Sequence, residues 1–452
     1  MKRLLTATAV LLGSTAIASA DPCVIVYDAT NPTYAPDDSV ITLIPDFFSA
    51  FVGNNATCAP SFDAHSNVAN DPDTFEVYTA DIRGDAFFPS DEVKITVKTN
   101  GRTHTETFQS GDNPLMTHYI GKEANGKLES EIEMEITDPE DPATEAYIDS
   151  IDYALAGTMT RDQAEASLTG LGNAQTAMVT HLDATSGLLT GGNMRLEGPN
   201  EVRVLGGLGS FMLGGNLRYN MSDGFSVLAG VSLVDQGAAG AHYTGGLGAA
   251  ALRFVEPGGA SQRFFGEAGV NAGVLRMSFS RTYTDDNSTQ TVSGTGLGAL
   301  GAVYVRGGML FQLDASNEIV LSATAKQTLV SFGDYREAIS AGNLFAADLS
   351  DQLAGFTTVK LGADWTMALA SDLDLTAHLG IGTTMANQRT TAYILGGGTT
   401  EGSFASTVFA EYGAGLAWHL NSQTTIEGFI QGSSGTNIGT HAQIGAAYRM
   451  TF

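Results

Sequence analysis

The chain has 452 residues, 43% of them hydrophobic, and a formal net charge of −27. That balance excludes nucleic acid as a partner, because phosphate binding needs clustered Lys and Arg. The 54 glycines follow neither a collagen nor a linker period, and the length predicts more than one domain.

Lys2 and Arg3 precede an apolar run over residues 4–17, and Ala18-Ser19-Ala20 has the small-x-small form of a signal-peptidase site. Residues 1–20 therefore read as a cleaved secretory signal, the apolar run being too short for an anchor. No later stretch approaches the ~20 apolar residues of a membrane helix. Entry into a membrane would require a closed β-barrel, which pairs every backbone group without a continuous apolar sequence.

An acidic segment follows. Residues 21–155 carry 26 acidic side chains against 6 basic ones, whereas 156–452 carry 23 against 14. This shift predicts a domain boundary near residue 155. Turn signals such as Asn54-Asn55, Asp71-Pro72-Asp73, Asn100-Gly101 and Asn125-Gly126 separate candidate strands at 75–83, 92–99, 102–108, 115–120, 128–136 and 147–154. Asn100-Gly101 suits a tight hairpin, where the turn needs positive φ. The expectation for 21–155 is a small antiparallel β-sandwich. Cys23 and Cys58 are expected to form one disulfide in an oxidising compartment, two free thiols being the alternative. The segment carries no Gly-x-Ser-x-Gly elbow and no His-Glu-x-x-His helix around His65, His104 or His118, so no enzyme, cofactor or metal is expected. Asp37-Asp38 and Asp138-Pro139-Glu140-Asp141 lack the alternating ligand spacing of a calcium loop and read as solvated surface.

Thr160 with Gln163 forms a capping box, and Asp162 lies in the first turn. Ala164, Leu168, Leu171, Gln175, Met178 and Leu182 then recur at helical spacing, predicting a helix to about Leu189 that the Gly191-Gly192-Asn193 cluster ends. Its other positions are small: Ala166, Ser167, Gly170, Gly172, Ala174, Thr176 and Ala177. Such a helix suits a confined place, and 156–197 reads as linker plus helix.

From 198 to 452 the chain alternates. Val359, Leu361, Ala363, Trp365, Met367 and Leu369 interleave with Lys360, Gly362, Asp364 and Thr366; Leu373, Leu375, Ala377, Leu379 and Ile381 interleave with Asp374, Thr376, His378 and Gly380. The last residues repeat the theme, with Tyr448, Met450 and Phe452 on one face and Arg449 on the other. Apolar-out, polar-in strands long enough to cross a bilayer are the unit of a transmembrane β-barrel. Twelve segments qualify: 201–209, 212–221, 225–235, 243–254, 263–276, 295–310, 318–330, 357–369, 373–384, 407–420, 424–433 and 441–452. The pattern turns Arg218, Lys360, Asp364, Asp374, His378 and Arg449 into the lumen. Connections at 222–224, 255–262, 311–317, 370–372 and 421–423 are short, and those near 277–294, 331–356 and 385–406 are long, which predicts a periplasmic and an outer end. Tyr219, Phe225, Trp365, Trp418, Tyr448 and Phe452 suit interfacial girdles. The fold class is all-β: a twelve-stranded antiparallel transmembrane barrel with an intraluminal helix, preceded by the small β domain.

This order resembles a monomeric autotransporter of the type V secretion pathway. The hairpin from Gly214-Gly215-Asn216-Leu217-Arg218-Tyr219 to Gly224-Phe225-Ser226-Val227-Leu228-Ala229-Gly230 is similar to the family's second and third barrel strands, and Ile444 to Phe452 is similar to its closing strand. The resemblance covers residues 156–452. It implies an outer-membrane translocator with the helix in its lumen and residues 21–155 as a passenger at the cell surface, for adhesion or surface interaction with an unknown extracellular ligand. It also implies outer-membrane lipid and the barrel-assembly machinery as partners, Tyr448, Met450 and Phe452 as the assembly signal, and a monomer. The short passenger, without a long repeat stalk, departs from the family and carries over no protease or toxin function. The alternative is an outer-membrane channel whose N-terminal domain stays in the periplasm.

Overall fold

The computed structural model describes residues 24–26, 40–43, 61–67, 73–86, 92–109, 115–123, 127–137, 146–191, 195–286, 288–349 and 352–452. The signal segment, Cys23, Cys58 and the two acidic clusters weighed for calcium lie outside them. The described residues divide into two compact units, one within 1–72 and 76–156, the other within 73–75 and 157–452.

In the first unit, strands Val24–Val26, Ser61–Asn67, Lys127–Thr137, Glu92–Thr99 and Arg102–Gln109 form one sheet in that order, antiparallel except for the first pair. Strands Val40–Leu43, Ala146–Thr160, Thr74–Ala86 and Leu115–Gly121 form another. The Asn100-Gly101 turn has φ of 49° and 73°, as its hairpin geometry demands. The Asn100 side chain also accepts from the Gly121 N–H at 3.0 Å and donates to the Gly121 carbonyl at 3.3 Å. Val77, Ile82, Ile95, Val97, Met116 and Ile120 are buried.

The second unit opens with helix α1, Arg161–Leu189, whose capping box forms as the sequence predicts. The Gln163 N–H donates to Thr160 Oγ1 at 3.3 Å, and the Thr160 N–H donates to Gln163 Oε1 at 2.8 Å. All six residues of the predicted apolar stripe are buried. Beyond Leu171, however, the helix is buried almost all the way round, with Thr176, Thr180, His181, Asp183 and Thr185 enclosed as well. A polar helix wrapped on every side needs polar partners in the wall around it.

The wall consists of twelve strands: β1 Glu201–Leu208, β2 Phe211–Ser222, β3 Phe225–Ala238, β4 Ala241–Val255, β5 Gln262–Thr284, β6 Thr289–Gln312, β7 Asn317–Ser331, β8 Leu353–Ala370, β9 Leu373–Ala386, β10 Thr407–His419, β11 Thr424–Gly435 and β12 Gly439–Thr451. Each pairs antiparallel with its chain neighbours, and β12 returns to β1 with Leu208 opposite Ile444 and Glu201 opposite Thr451. The sheet is a closed antiparallel barrel with α1 inside it, as the twelve alternating segments predict. Its outer face is an apolar band, including Val204, Leu213, Val231, Val270, Leu361, Leu379, Ile381 and Ile444, all exposed. Polar and charged residues take the inner positions. That is the architecture of an outer-membrane-type barrel.

The two ends differ. Turns at 223–224, 256–261, 313–316, 371–372 and 420–423 are all short at one end. At the other, 332–352 and 387–406 are long and carry strands Tyr335–Glu337, Ala347–Leu349, Arg389–Ile394 and Gly398–Ser403, which extend the sheet as a cap. The stretch 277–294, expected as a loop, instead continues β5 and β6 almost to their turn. Thr282 pairs with Thr291 and Thr284 with Thr289, each couple 3.0 Å apart, while Phe279, Arg281 and Tyr283 alternate inward. Hydroxyls that look like loop composition are here the solvated face of a hairpin longer than a bilayer requires.

Candidate functional site: the barrel interior and its helix

Alternation delivers one inward side chain every second residue, and register decides which of them meet. Asp364 on β8 is directly opposite His378 on β9, and Asp364 Oδ1 lies 2.6 Å from His378 Nδ1. Arg306 of β6 donates to Asp364 Oδ2 at 2.8 Å. Glu411 of β10 lies 3.6 Å from His378 Nε2 and 2.9 Å from Lys360 Nζ. Gly380 stands opposite Glu411 in the same register.

The chain of charges reaches the helix through Asp183. Its Oδ1 accepts from Lys326 Nζ of β7 at 2.6 Å, and its Oδ2 from Lys360 Nζ at 3.4 Å. Lys326 also donates to Ser186 Oγ at 3.1 Å. Higher on the helix, Thr180 donates to Thr384 at 3.2 Å, and His181 Nδ1 lies 2.9 Å from Ser433 Oγ. These bonds answer the desolvation of a polar helix, since a buried charge is tolerated only when paired and hydrogen-bonded. Beside them lies a cavity of about 150 Å³ whose border includes Asp183, Lys360, Asp364, His378, Glu411 and Tyr304.

At the long-loop end the cap grips the start of α1. The Thr158 N–H donates to Asp286 Oδ1 at 3.1 Å, and the Asp286 N–H to the Thr158 carbonyl at 3.2 Å. Arg281 donates to Ser167 Oγ at 3.0 Å and clasps Glu337 at 2.6 and 2.8 Å, both side chains wholly buried. Burial alone would raise the Glu337 carboxyl. Hydrogen bonds from Arg281, the Ala347 N–H and the Tyr335 hydroxyl, with the guanidinium charge, outweigh it and hold Glu337 below the usual carboxylate range.

At the short-turn end the chain leaving α1 is fastened in turn. Asn216 donates to the Leu188 carbonyl at 2.7 Å, Arg253 to the Thr190 and Leu196 carbonyls at 3.0 and 3.3 Å, and Arg218 to the Arg195 carbonyl at 2.6 Å. Arg195 reaches Asp374 at 3.4 Å, and the Phe452 N–H donates to the Asn200 carbonyl at 3.0 Å. The helix thus enters at the long-loop end and stops beside Asn216 and Gly230, midway along β2 and β3, and the segment after it continues to the short-turn end.

Of the residues singled out in the sequence, Lys360, Asp364 and His378 lie together in this network. Arg218 and Arg449 flank Glu201 at 3.5 Å each, and Asp374 lies 3.2 Å from His419 Nε2. Tyr448, Met450 and Phe452 are exposed on the outer face. Sequence reasoning missed Asp183, Lys326, Arg306 and Glu427, the last of which pairs with Arg203 at 2.7 Å and Arg449 at 3.4 Å. Lys326 and Arg306 share the parity of the inward residues on their strands, a signal that finds them; Asp183 carries none, because its partners depend on the height at which the helix is seated.

No protein-family model matches the chain, and no curated protein does. Solved structures do. The translocator domain of autotransporter NalP from Neisseria meningitidis is similar at 12% identity and a TM-score of 0.43, covering 63% of this chain and 99% of that one. The β domain of the Bordetella autotransporter BrkA is similar at 17% identity and a TM-score of 0.38, covering 56% and 99%. The NanC porin is similar at 9% identity and a TM-score of 0.31, covering 56% and 98%. Autotransporter translocator domains and porins therefore both stand among the structures this barrel is similar to.

Proposed function

We propose that the chain is a monomeric autotransporter of the outer membrane, whose barrel (198–452) translocates and then anchors the short domain 21–155 at the cell surface. In this reading residues 1–20 are the export signal and 156–197 are the segment left threaded after transport. One observation carries it: α1 and the segment after it together run through a closed barrel and are fixed at both ends, with residue 157 at the long-loop end. Short turns face the periplasm in outer-membrane barrels and long loops face outward. A chain entering the lumen from the long-loop end must therefore have its preceding residues outside. A channel with a periplasmic N-terminal domain would need residue 157 at the short-turn end. Tyr448, Met450 and Phe452, exposed on the strand that closes the barrel, suit recognition by the barrel-assembly machinery, and the apolar band suits outer-membrane lipid. Adhesion or another surface interaction is the role we assign to 21–155. The test is which side of the membrane holds residues 21–155, read by protease added to intact cells.

A further inference from the structure

The twelve strands carry ten Lys and Arg residues. Nine turn inward, and each of them lies within ion-pair reach of a carboxylate. Arg276 is the exception. Leu275 and Met277 beside it are buried, so the alternation of β5 turns Arg276 outward, where it is exposed. Among the described residues it has no carboxylate partner. Asp235, two strands away on the outer face, lies 2.9 Å from His242 Nε2.

Its height on the barrel is specific. Val274, one outward step toward the short-turn end, and Leu297, opposite Arg276 on β6, belong to the apolar band at 58% and 69% exposure. Opposite on β4 stands Thr244. On the other side of Arg276 the outward positions of β5 and β6 themselves bear hydroxyls, Ser280, Thr282 and Thr284 with Thr291 and Ser293, while His242 of β4 stands opposite Ser278 and Arg336 of the cap opposite Thr295. At ~3.3 Å per residue this polar surface continues for roughly 25 Å. Arg276 thus stands where hydrocarbon gives way to headgroups, on the long-loop side.

We propose that Arg276 is a docking point for the phosphate of a sugar-headed, phosphorylated lipid in the leaflet facing the long loops. A guanidinium can grip a phosphate with two parallel N–H donors, a planar fork that an ammonium lacks. The sugar is assigned from the hydroxyl face above Arg276, which can exchange hydrogen bonds with a saccharide layer along its length. This inference rests on reading the apolar band as lipid-facing.

The test uses the full-length protein in detergent, with native mass spectrometry after addition of a bis-phosphorylated glucosamine-disaccharide lipid or its dephosphorylated form. Wild type should retain one phosphorylated lipid and about tenfold less of the dephosphorylated one. Arg276→Gln should lose about tenfold of that retention, with Arg276→Lys in between, since an ammonium keeps the charge but loses the fork. Heat-modifiable gel mobility establishes that each variant is a folded barrel. Equal retention by wild type and Arg276→Gln, or equal retention of both lipids, would overturn the proposal. Displacement by phosphatidylglycerol as readily as by the sugar lipid would overturn the sugar assignment. Failure of wild type to enter liposomes would instead defeat the membrane reading, a result separable from the loss of binding in one variant.

Discussion

Asp183 is the residue on which the seating of the helix turns, because it sits buried between Lys326 and Lys360. Lys360 keeps Glu411 if Asp183 is removed, but Lys326 has no second carboxylate among its ion pairs. Breaking one side of a buried pair costs about 3–5 kcal/mol. Asp183→Ala should therefore lower the temperature at which the barrel loses its compact gel mobility and expose α1 to protease. An unchanged midpoint would mean that the triad adds nothing to seating. In the first unit His118 supplies a pH dependence. Burial, and next the charge of nearby His104, push its imidazole from 6.5 to about 4. Above pH 6.5 the ring is neutral folded or unfolded; below it the unfolded chain takes up the proton more readily, so stability falls as pH drops from 6.5 toward 4. Proteolysis of residues 61–137 in the intact protein should accelerate across that window, by on the order of 3 kcal/mol in opening free energy, and His118→Leu should flatten the slope. The inward charges were legible in the sequence because alternation fixes their side; the pairing of Asp183 was not, because alternation says nothing of a helix sliding along the axis.

For α1 as an element, the sequence shows that small residues are abundant but not which of them matter. Gly170 and Gly172 look alike in the chain, yet a Cβ on Gly170 meets nothing within 4 Å. One on Gly172 would lie 3.1 Å from the Ser403 carbonyl and 3.2 Å from both Phe404 Cδ1 and Thr390 Oγ1. Gly402 returns the close approach from the cap, where an added Cβ would come 2.5 Å from Leu168. Gly172→Leu should accordingly obstruct packing of the cap on the helix and raise cleavage of 387–406 by added protease, with Gly170→Leu behaving as wild type. Equal effects of the two substitutions would contradict this packing. The β5–β6 hairpin teaches the converse lesson. Its Ser and Thr richness reads as loop, but inward Phe279, Arg281 and Tyr283 hold it in register.

At the scale of the whole molecule, all twelve strands and the helix were legible, since a wall between lipid and a polar interior constrains every residue of it. The cap was not, because Tyr335–Glu337 and Ala347–Leu349 are three residues each and pair with β6 and with Arg389–Ile394, segments distant in sequence. Direction along the axis is what separates a translocator from a channel. Our account puts residue 157 at the outer end, so 21–155 should meet the medium. Protease added to intact cells is the most direct measurement. The account predicts loss of residues 21–155 with the barrel, 198–452, left whole and heat-modifiable. A passenger that survives in intact cells, and is cut only once the outer membrane is permeabilised, would contradict it.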